Sequence, residues 1–252
     1  MYFPSVAGRI RVNVPDHGTL IKSVTERLRS GNGFAVATIN LDHLVKLKED
    51  RGFADAYLAQ DLVVVDGNPL VWMSHIAKQP VDLMPGSDLV VPLARLAADL
   101  EMPIGLIGST EDALDKAEQA LRDTVPALKV ACKIAPPMGF DPESPAAEAL
   151  IQDAEKSGAR LCFLALGAPK QELLAARGRS IAPSLGFVSI GAGLDFLAGS
   201  QTRAPVWMRN MALEWVWRLI QNPRRLGPRY AQCLAILPTL TTDAFKQRNT
   251  PS

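Results

Sequence analysis

Histidine and cysteine are scarce in this chain, with three of each among 252 residues. His17, His43 and His75 lie apart from one another and from any cysteine, so no zinc-type ligand set is spaced along the sequence. Cys132, Cys162 and Cys233 are odd in number and widely separated, and Cys162 sits inside an apolar run. They read as reduced thiols of a cytosolic protein, not as a disulfide framework. No run approaches the ~20 apolar residues of a membrane-spanning helix. The longest candidate, Cys233–Leu240, is short and interrupted by Pro238. Met1–Val14 meets Arg9 and Arg11 before any continuous apolar stretch forms, unlike a signal peptide. Catalytic signatures are missing too. There is no Asp-x-Asp metal motif, no Gly-x-Ser-x-Gly elbow and no Walker A loop. The one near Gly-x-Gly-x-x-Gly, Gly191-Ala192-Gly193, has Phe196 where the third glycine belongs. Repeats and low-complexity tracts are absent, and disorder is expected only at the extreme C-terminus.

What is present is a split of charge. Residues 201–252 hold eight Lys/Arg against two acids, a net +6, while residues 1–200 carry 19 cations and 24 acids, a net −5. The formal total of +1 hides this. Seven of the eight tail cations are arginine, the side chain suited to bidentate contact with phosphate. They are interleaved with Trp207, Trp215, Trp217 and Tyr230, residue types that favour membrane–water boundaries. Such a tail expects a polyanion at its end of the molecule. The bland alternative is a basic cover for an acidic body. A nucleic-acid partner is disfavoured, because residues 1–200 are acidic and carry no nucleic-acid motif.

Short apolar runs alternate with helix-period segments. The spacing predicts strands at Phe34–Ile39, Leu62–Val65, Ile104–Ile107, Leu128–Cys132, Leu161–Leu166 and Phe187–Ile190. It predicts helices near His43–Leu58, Pro69–Ala77, Asp88–Leu100, Glu111–Thr124, Pro145–Ser157 and Pro169–Ile181. Continuous apolar strands joined by helices imply an α/β fold with a mostly parallel, Rossmann-like sheet. The pattern breaks at Gly199–Pro205, which divides an α/β core, 1–200, from a basic helical appendage, 201–252. In the tail one helix is expected from Pro205 to about Asn222, with Trp207, Met211, Trp215 and Leu219 along one face and a Glu214–Arg218 pair, ended by Pro223.

Four predicted strand ends carry polar residues: Thr38-Ile39-Asn40, Asp66-Gly67-Asn68-Pro69, Gly167 to Glu172, and Gly191 to Asp195. In a parallel sheet all four share one rim, where ligands of such sheets gather. Asp66 leaves a buried strand at that rim and can accept a proton from a substrate hydroxyl. It could equally cap the helix starting at Pro69 or close an Asx-turn with Gly67. Thr38 and Asn40 could bond a sugar or phosphate, or simply satisfy backbone groups. Gly167–Glu172 places small residues before a helix N-terminus, which suits a phosphate.

In their order these motifs resemble the WecG/TagA/CpsF family of glycosyltransferases. The likeness is carried by Thr38-Ile39-Asn40-Leu41-Asp42, Val65-Asp66-Gly67, Pro85-Gly86-Ser87-Asp88-Leu89, Gly105-Leu106-Ile107-Gly108 and Leu166 to Glu172. In the tail it continues with Asp195 to Gly199, Arg203-Ala204-Pro205, Glu214-Trp215, Arg218, and Pro223 to Tyr230. The resemblance covers about residues 10–235. It implies an inverting transferase that moves a sugar of the N-acetylmannosamine or uronic-acid type, or a related hexose, from a UDP-sugar donor. The implied acceptor is a polyprenyl-diphosphate-linked saccharide of cell-surface polysaccharide synthesis. No metal and no cofactor are implied. The implied place is the cytoplasm, peripheral on the anionic inner face of the cell membrane; homo-oligomers are common in the family. By the same resemblance Asp66 is the expected general base, with Thr38 beside it. Asn40, Gly86, Ser87, Gly108, Gly167, Lys170, Gln171 and Asp195 are the expected substrate-binding positions. Arg203, Arg218, Arg224, Arg225 and Arg229 are expected to meet lipid diphosphate and membrane. One position departs: many relatives carry arginine three residues before the glycine of Gly86-Ser87-Asp88, and here it is Leu83. A non-catalytic nucleotide- or nucleic-acid-binding module is the alternative reading.

Overall fold

The computed structural model describes residues 1–248. In chain order the elements are β1 (Tyr2–Ser5), β2 (Gly8–Arg11), α1 (His17–Ser30), β3 (Phe34–Ile39), α2 (Leu41–Lys46), α3 (Arg51–Leu58), β4 (Leu62–Val65) and α4 (Asn68–Ile76). There follow α5 (Gly86–Asp99), β5 (Ile104–Gly108), α6 (Glu111–Thr124), β6 (Val130–Ile134), α7 (Pro145–Lys156), β7 (Leu161–Ala165), α8 (Lys170–Ile181) and β8 (Gly186–Ser189). The chain ends through α9 (Gly193–Leu197), α10 (Val206–Asn210), α11 (Glu214–Gln221) and α12 (Pro223–Gln247).

The expected α/β fold with a parallel sheet is what forms. Six strands, all parallel, lie in the order β4-β3-β8-β7-β5-β6. Alternation along β3 assigns its two faces. Phe34 and Val36 join a core with Leu20, Val24 and Leu28 of α1, Leu93 of α5, Leu114 of α6 and Leu194 of α9. Ala37 and Ile39 point the other way, into a core with Leu44, Phe53, Tyr57, Leu70 and Met73 of α2 to α4. Helices cover both faces, which is why these strands read as unbroken apolar runs.

Several boundaries differ from the sequence reading. The helix expected at His43–Leu58 is two, α2 and α3, because the Asp50 side chain accepts from Phe53 N (2.9 Å) and starts a new helix there. The strand expected at Leu128–Cys132 begins two residues later, since Leu128 is a buried turn residue filling the core. α1 and the β1–β2 hairpin were not anticipated. α1 nevertheless carries an Asp16 cap, apolar residues four apart and Gly31 in the left-handed region (φ 74°) at its end. No disulfide joins the three cysteines, which are free. Disorder at the extreme C-terminus concerns residues 249–252, outside those described.

The tail departs most. The single helix expected from Pro205 to Asn222 is α10 and α11, separated at Met211–Leu213, where Ala212 takes φ 60°. The four-residue spacing of Trp207, Met211, Trp215 and Leu219 is therefore not one continuous stripe. Pro223 follows the end of α11 and opens α12 at its first turn, where a proline costs no hydrogen bond. α12 continues through Pro228 and Pro238. Its far half joins the core: Leu240 and Ala244 are buried in the cluster that holds Met1, Phe3 and Leu70. Gln247 bonds both backbone groups of Tyr2, donating to its carbonyl and accepting from its N–H, each at 2.8 Å. Among the described residues no helix is long and apolar enough to cross a membrane.

Candidate active site

The strand order brings the four motifs together. β4, β3, β8 and β7 are consecutive neighbours, so Asp66, Thr38 with Asn40, Gly191–Asp195 and Gly167–Gln171 line one rim, with Gly108 next at the end of β5. Gly86 opens α5 against this rim. A Cβ there would lie 2.8 Å from the Ile190 Cα, so only glycine lets the helix start abut the end of β8. Ser87 follows, half-buried and packed beside Gly193. Gly108 takes φ 117°, and a side chain there would collide with the Ala165 carbonyl. Gly167 (φ 71°) turns the chain into α8, where Lys170 is the first helical residue.

Asp66 is anchored by its backbone, whose N–H donates to the Ile39 carbonyl (2.8 Å). Its carboxyl does not cap α4, whose cap residue is Gly67 with no side-chain bond. Instead Asn40 Nδ2 approaches Asp66 Oδ2 at 3.5 Å. Asn40 Oδ1 at the same time accepts from His43 N (3.1 Å) and caps α2, so this side chain does satisfy a backbone group. Burial lifts the Asp66 pKa to about 6. The Arg218 charge and the Asn40 bond pull it down, and the charges of Glu214 and Asp88 push it up. Taken as a whole residue Asp66 is half-buried, its carboxyl being the part that burial perturbs. Leu83 pairs with Val65, one residue before Asp66, so at that position an apolar side chain stands beside the carboxylate strand.

Beneath Thr38 lies a buried polar floor. Tyr57 Oη donates to the Thr38 carbonyl (3.0 Å) and sits 2.7 Å from His43 Nδ1. With that hydroxyl proton spent on Thr38, the imidazole must carry its own proton on Nδ1. Burial keeps His43 neutral, its pKa brought down to about 4. Thr38 itself is buried, 3% exposed. Gln171 is 2% exposed and spends both polar atoms inside the protein: Oε1 accepts from Gly191 N (3.1 Å) and Nε2 donates to Glu172 Oε1 (2.9 Å). It joins the ends of β7 and β8. Glu172 is fully buried, and burial raises its pKa to about 7. Asp195 is likewise engaged, accepting from Ser109 Oγ (2.5 Å) and Gln201 Nε2 (2.9 Å). Sequence reasoning assigned no role to Ser109, Tyr57, Glu172 or Asp42. Glu172 and Asp42 stood inside the recognised motifs, which was the available signal.

The tail arginines divide. Arg203 Nη1 contacts Asp88 Oδ1 (2.6 Å) at the start of α5. Arg218 pairs with Glu214 (3.0 Å), as the i, i+4 spacing predicts. Arg229 turns inward, bidentate on Asp42 (Nε–Oδ1 2.9 Å, Nη2–Oδ2 2.6 Å), where Lys46 also binds at 2.8 Å. Arg224 and Arg225 are exposed. Val206, Trp207, Met211, Trp215 and Ile220 are exposed too, at 45% to 69% of their surface. Among the described residues no group of three or more His, Cys, Asp or Glu side chains is placed to hold a metal ion.

The geometry is that of a rim carboxylate facing a basic, aromatic tail, and comparison with known proteins decides the lineage. Residues 6–251 match the model described as the glycosyl transferase WecG/TagA/CpsF family. The chain belongs to this family of glycosyltransferases. A relative from Bacillus subtilis (strain 168), an N-acetylglucosaminyldiphosphoundecaprenol N-acetyl-beta-D-mannosaminyltransferase, is 26% identical over 206 residues, covering 79% of this chain and 78% of that one. The family resemblance read from the motifs is thus shown, and the protein is a transferase enzyme.

Proposed function

We propose that this glycosyltransferase moves a sugar from a UDP-sugar, with inversion and without a metal, to a hydroxyl of a polyprenyl-diphosphate-linked saccharide in cell-surface polysaccharide synthesis. An acceptor of the N-acetylglucosaminyl-diphospho-lipid type and a donor of the N-acetylmannosamine or uronic-acid type, or a related hexose, fit the relative's name. The observation that carries the reading is the place of the Asp66 carboxyl, at the end of β4 beside Asn40, on a rim that tail arginines reach through Asp88 and Phe196; burial raises its pKa to about 6. A base of that pKa is mostly ionised at neutral pH and still basic enough to take a proton in the transition state. The acceptor oxygen attacks the anomeric carbon as its proton passes to Asp66. The bond from that carbon to the diphosphate breaks on the opposite face, and UDP leaves with the electron pair. Asn40 borders the reacting sugar, Thr38 supports that strand end from its buried position, and Gln171 fixes the neighbouring loop. Gly86, Ser87, Gly108, Gly167, Lys170 and Asp195 build the donor side. Arg203 and Arg218, with the start of α8, offset charge on the departing phosphate.

The division into a core, 1–200, and an appendage, 201–252, belongs to this reading, with the far half of α12 seated in the core. The exposed apolar residues of α10 and α11, with Arg224 and Arg225, form the surface that would meet an anionic inner leaflet; each cation there adds ~1 kcal/mol. Removing the whole tail would strip Leu240 and Ala244 from the core, so substitution is the sounder test. Trp207→Ser with Trp215→Ser, and Arg224→Gln with Arg225→Gln, should each weaken binding to anionic vesicles and leave the fold intact. Undiminished binding refutes the surface. The reaction is tested by UDP release from a panel of UDP-sugars offered with lipid-diphosphate-linked N-acetylglucosamine, with and without chelator. Release from no donor overturns the assignment, and release abolished by chelator overturns its metal independence.

A further inference from the structure

One aromatic ring between rim and tail has no part in the chemistry above. Phe196 lies in α9, half-buried. The Arg203 guanidinium carbon is 5.4 Å from its ring centroid, and that of Arg218 is 5.7 Å. Two cations from separate parts of the tail therefore converge on one ring, whose negative face offsets the repulsion between them. The ring stands on a fixed base. Leu194 is fully buried, and the Asp195 carbonyl accepts the N–H groups of Ser200 (3.0 Å) and Gln201 (3.2 Å). Its carboxylate holds Ser109 and Gln201.

The two arginines depend on the ring unequally. Arg203 has an independent tether in Asp88 and a side chain 26% exposed. Arg218 is 48% exposed, and its other partner is Glu214 on its own helix, which moves with it. Phe196 is thus the contact that ties the Arg218 side chain to the core. Arg218 is also the cation whose charge reaches Asp66. A long arginine side chain left free would lose that placement to rotamer entropy.

We infer that Phe196 is a positioning residue, holding the Arg218 guanidinium over the rim where the diphosphate of the donor must lie. The inference rests on the proposed transfer reaction. Cation–ring contacts with a half-exposed guanidinium correspond to a change of about 2- to 5-fold in the binding they support.

The test compares Phe196→Leu, Phe196→Met, Phe196→Tyr, Arg218→Gln and the double variant Phe196→Leu/Arg218→Gln. Each is first checked for native circular dichroism and thermal midpoint. The apolar variants should raise KM for the UDP-sugar about 2- to 5-fold, with the aromatic Phe196→Tyr restoring most of it. They should also move the acid limb of kcat/KM to higher pH, in the direction Arg218→Gln moves it, which lost packing alone would not do. In the Arg218→Gln background Phe196→Leu should add little. An Arg218→Gln enzyme with unchanged KM and pH profile overturns the proposed role of Arg218, and the inference with it. If Arg218→Gln is impaired while both folded apolar variants match the parent, the inference alone falls. Phe196→Met serves if Phe196→Leu does not fold. Failure of both apolar variants to fold while Phe196→Tyr folds makes the ring a structural support and also overturns it.

Discussion

Two carboxylates on neighbouring parts of one rim meet opposite fates. Asp42 lies in the seam between α2 and α12, and Asp66 lies at the end of β4. Burial alone would raise the pKa of both. At Asp42 the hydrogen bonds and charges of Arg229 and Lys46 more than offset it, and the pKa falls to about 2. At Asp66 the Asn40 bond is long and the Arg218 charge comes from a side chain otherwise paired with Glu214, so burial prevails and the pKa rises to about 6. The seam uses a carboxylate as a clamp. The strand end leaves one under-paired, where its unspent basicity is available to a substrate. A perturbed carboxyl left under-paired at the rim where ligands of such sheets gather is the candidate for the chemistry.

The largest effect that would break this contrast is expected at Asp66. Asp66→Asn should lower turnover by about 10²–10⁴ while the enzyme still folds and binds UDP. Unaltered turnover would remove Asp66 from the mechanism. The same variant should be more stable than the parent. Folded Asp66 holds its proton up to about pH 6, whereas the unfolded chain releases it near 3.8. Stability therefore falls as pH rises between those values, and at pH 7 asparagine should recover about 1–3 kcal/mol. A thermal midpoint that drops would contradict the contrast.

At the seam the sign reverses. Asp42 contributes stability that is present above pH ~3.8 and lost as pH falls toward 2. Arg229→Gln should cost about 1–3 kcal/mol at pH 7, and the penalty should shrink in acid, by denaturant melts across pH. A smaller effect sharpens the comparison electrostatically. Glu214 raises the Asp66 pKa and Arg218 lowers it. Glu214→Gln should move the acid limb of kcat/KM to lower pH, and Arg218→Gln should move it higher. Shifts of the same sign would mean that Asp66 is not the titrating group. The smallest effect concerns the joint of the tail. Ala212→Gly at φ 60° should gain about 0.5–1 kcal/mol, by thermal melt, because glycine adopts that conformation without strain.

Much of the fold was legible because parallel strands covered on both faces leave an apolar signature that few other elements share. Phe34–Ile39 and Leu62–Val65 were found to the residue, and Asp66 followed from its place after the second. Local chemistry against a helix-like period was harder to read. Asp50 restarts a helix, and Ala212 interrupts one, without any change in the spacing of apolar residues. Sequence spacing carries no sign of partners 187 residues apart, so Arg229 was grouped with Arg224 and Arg225 although it faces Asp42. Gln171 was recognisable by its motif, but its burial and its bridge to Gly191 depend on β8 lying beside β7.

The pairing of Tyr2 with Gln247 bears on synthesis. β1 pairs with β2 on one side, and the Gln247 amide occupies the Tyr2 backbone groups on the other, serving as a one-residue surrogate strand. During translation that edge is made some 245 residues before the glutamine that sheathes it. Until then the nascent hairpin offers unpaired N–H and C=O groups to any neighbouring polypeptide, the exposure that invites intermolecular β-pairing.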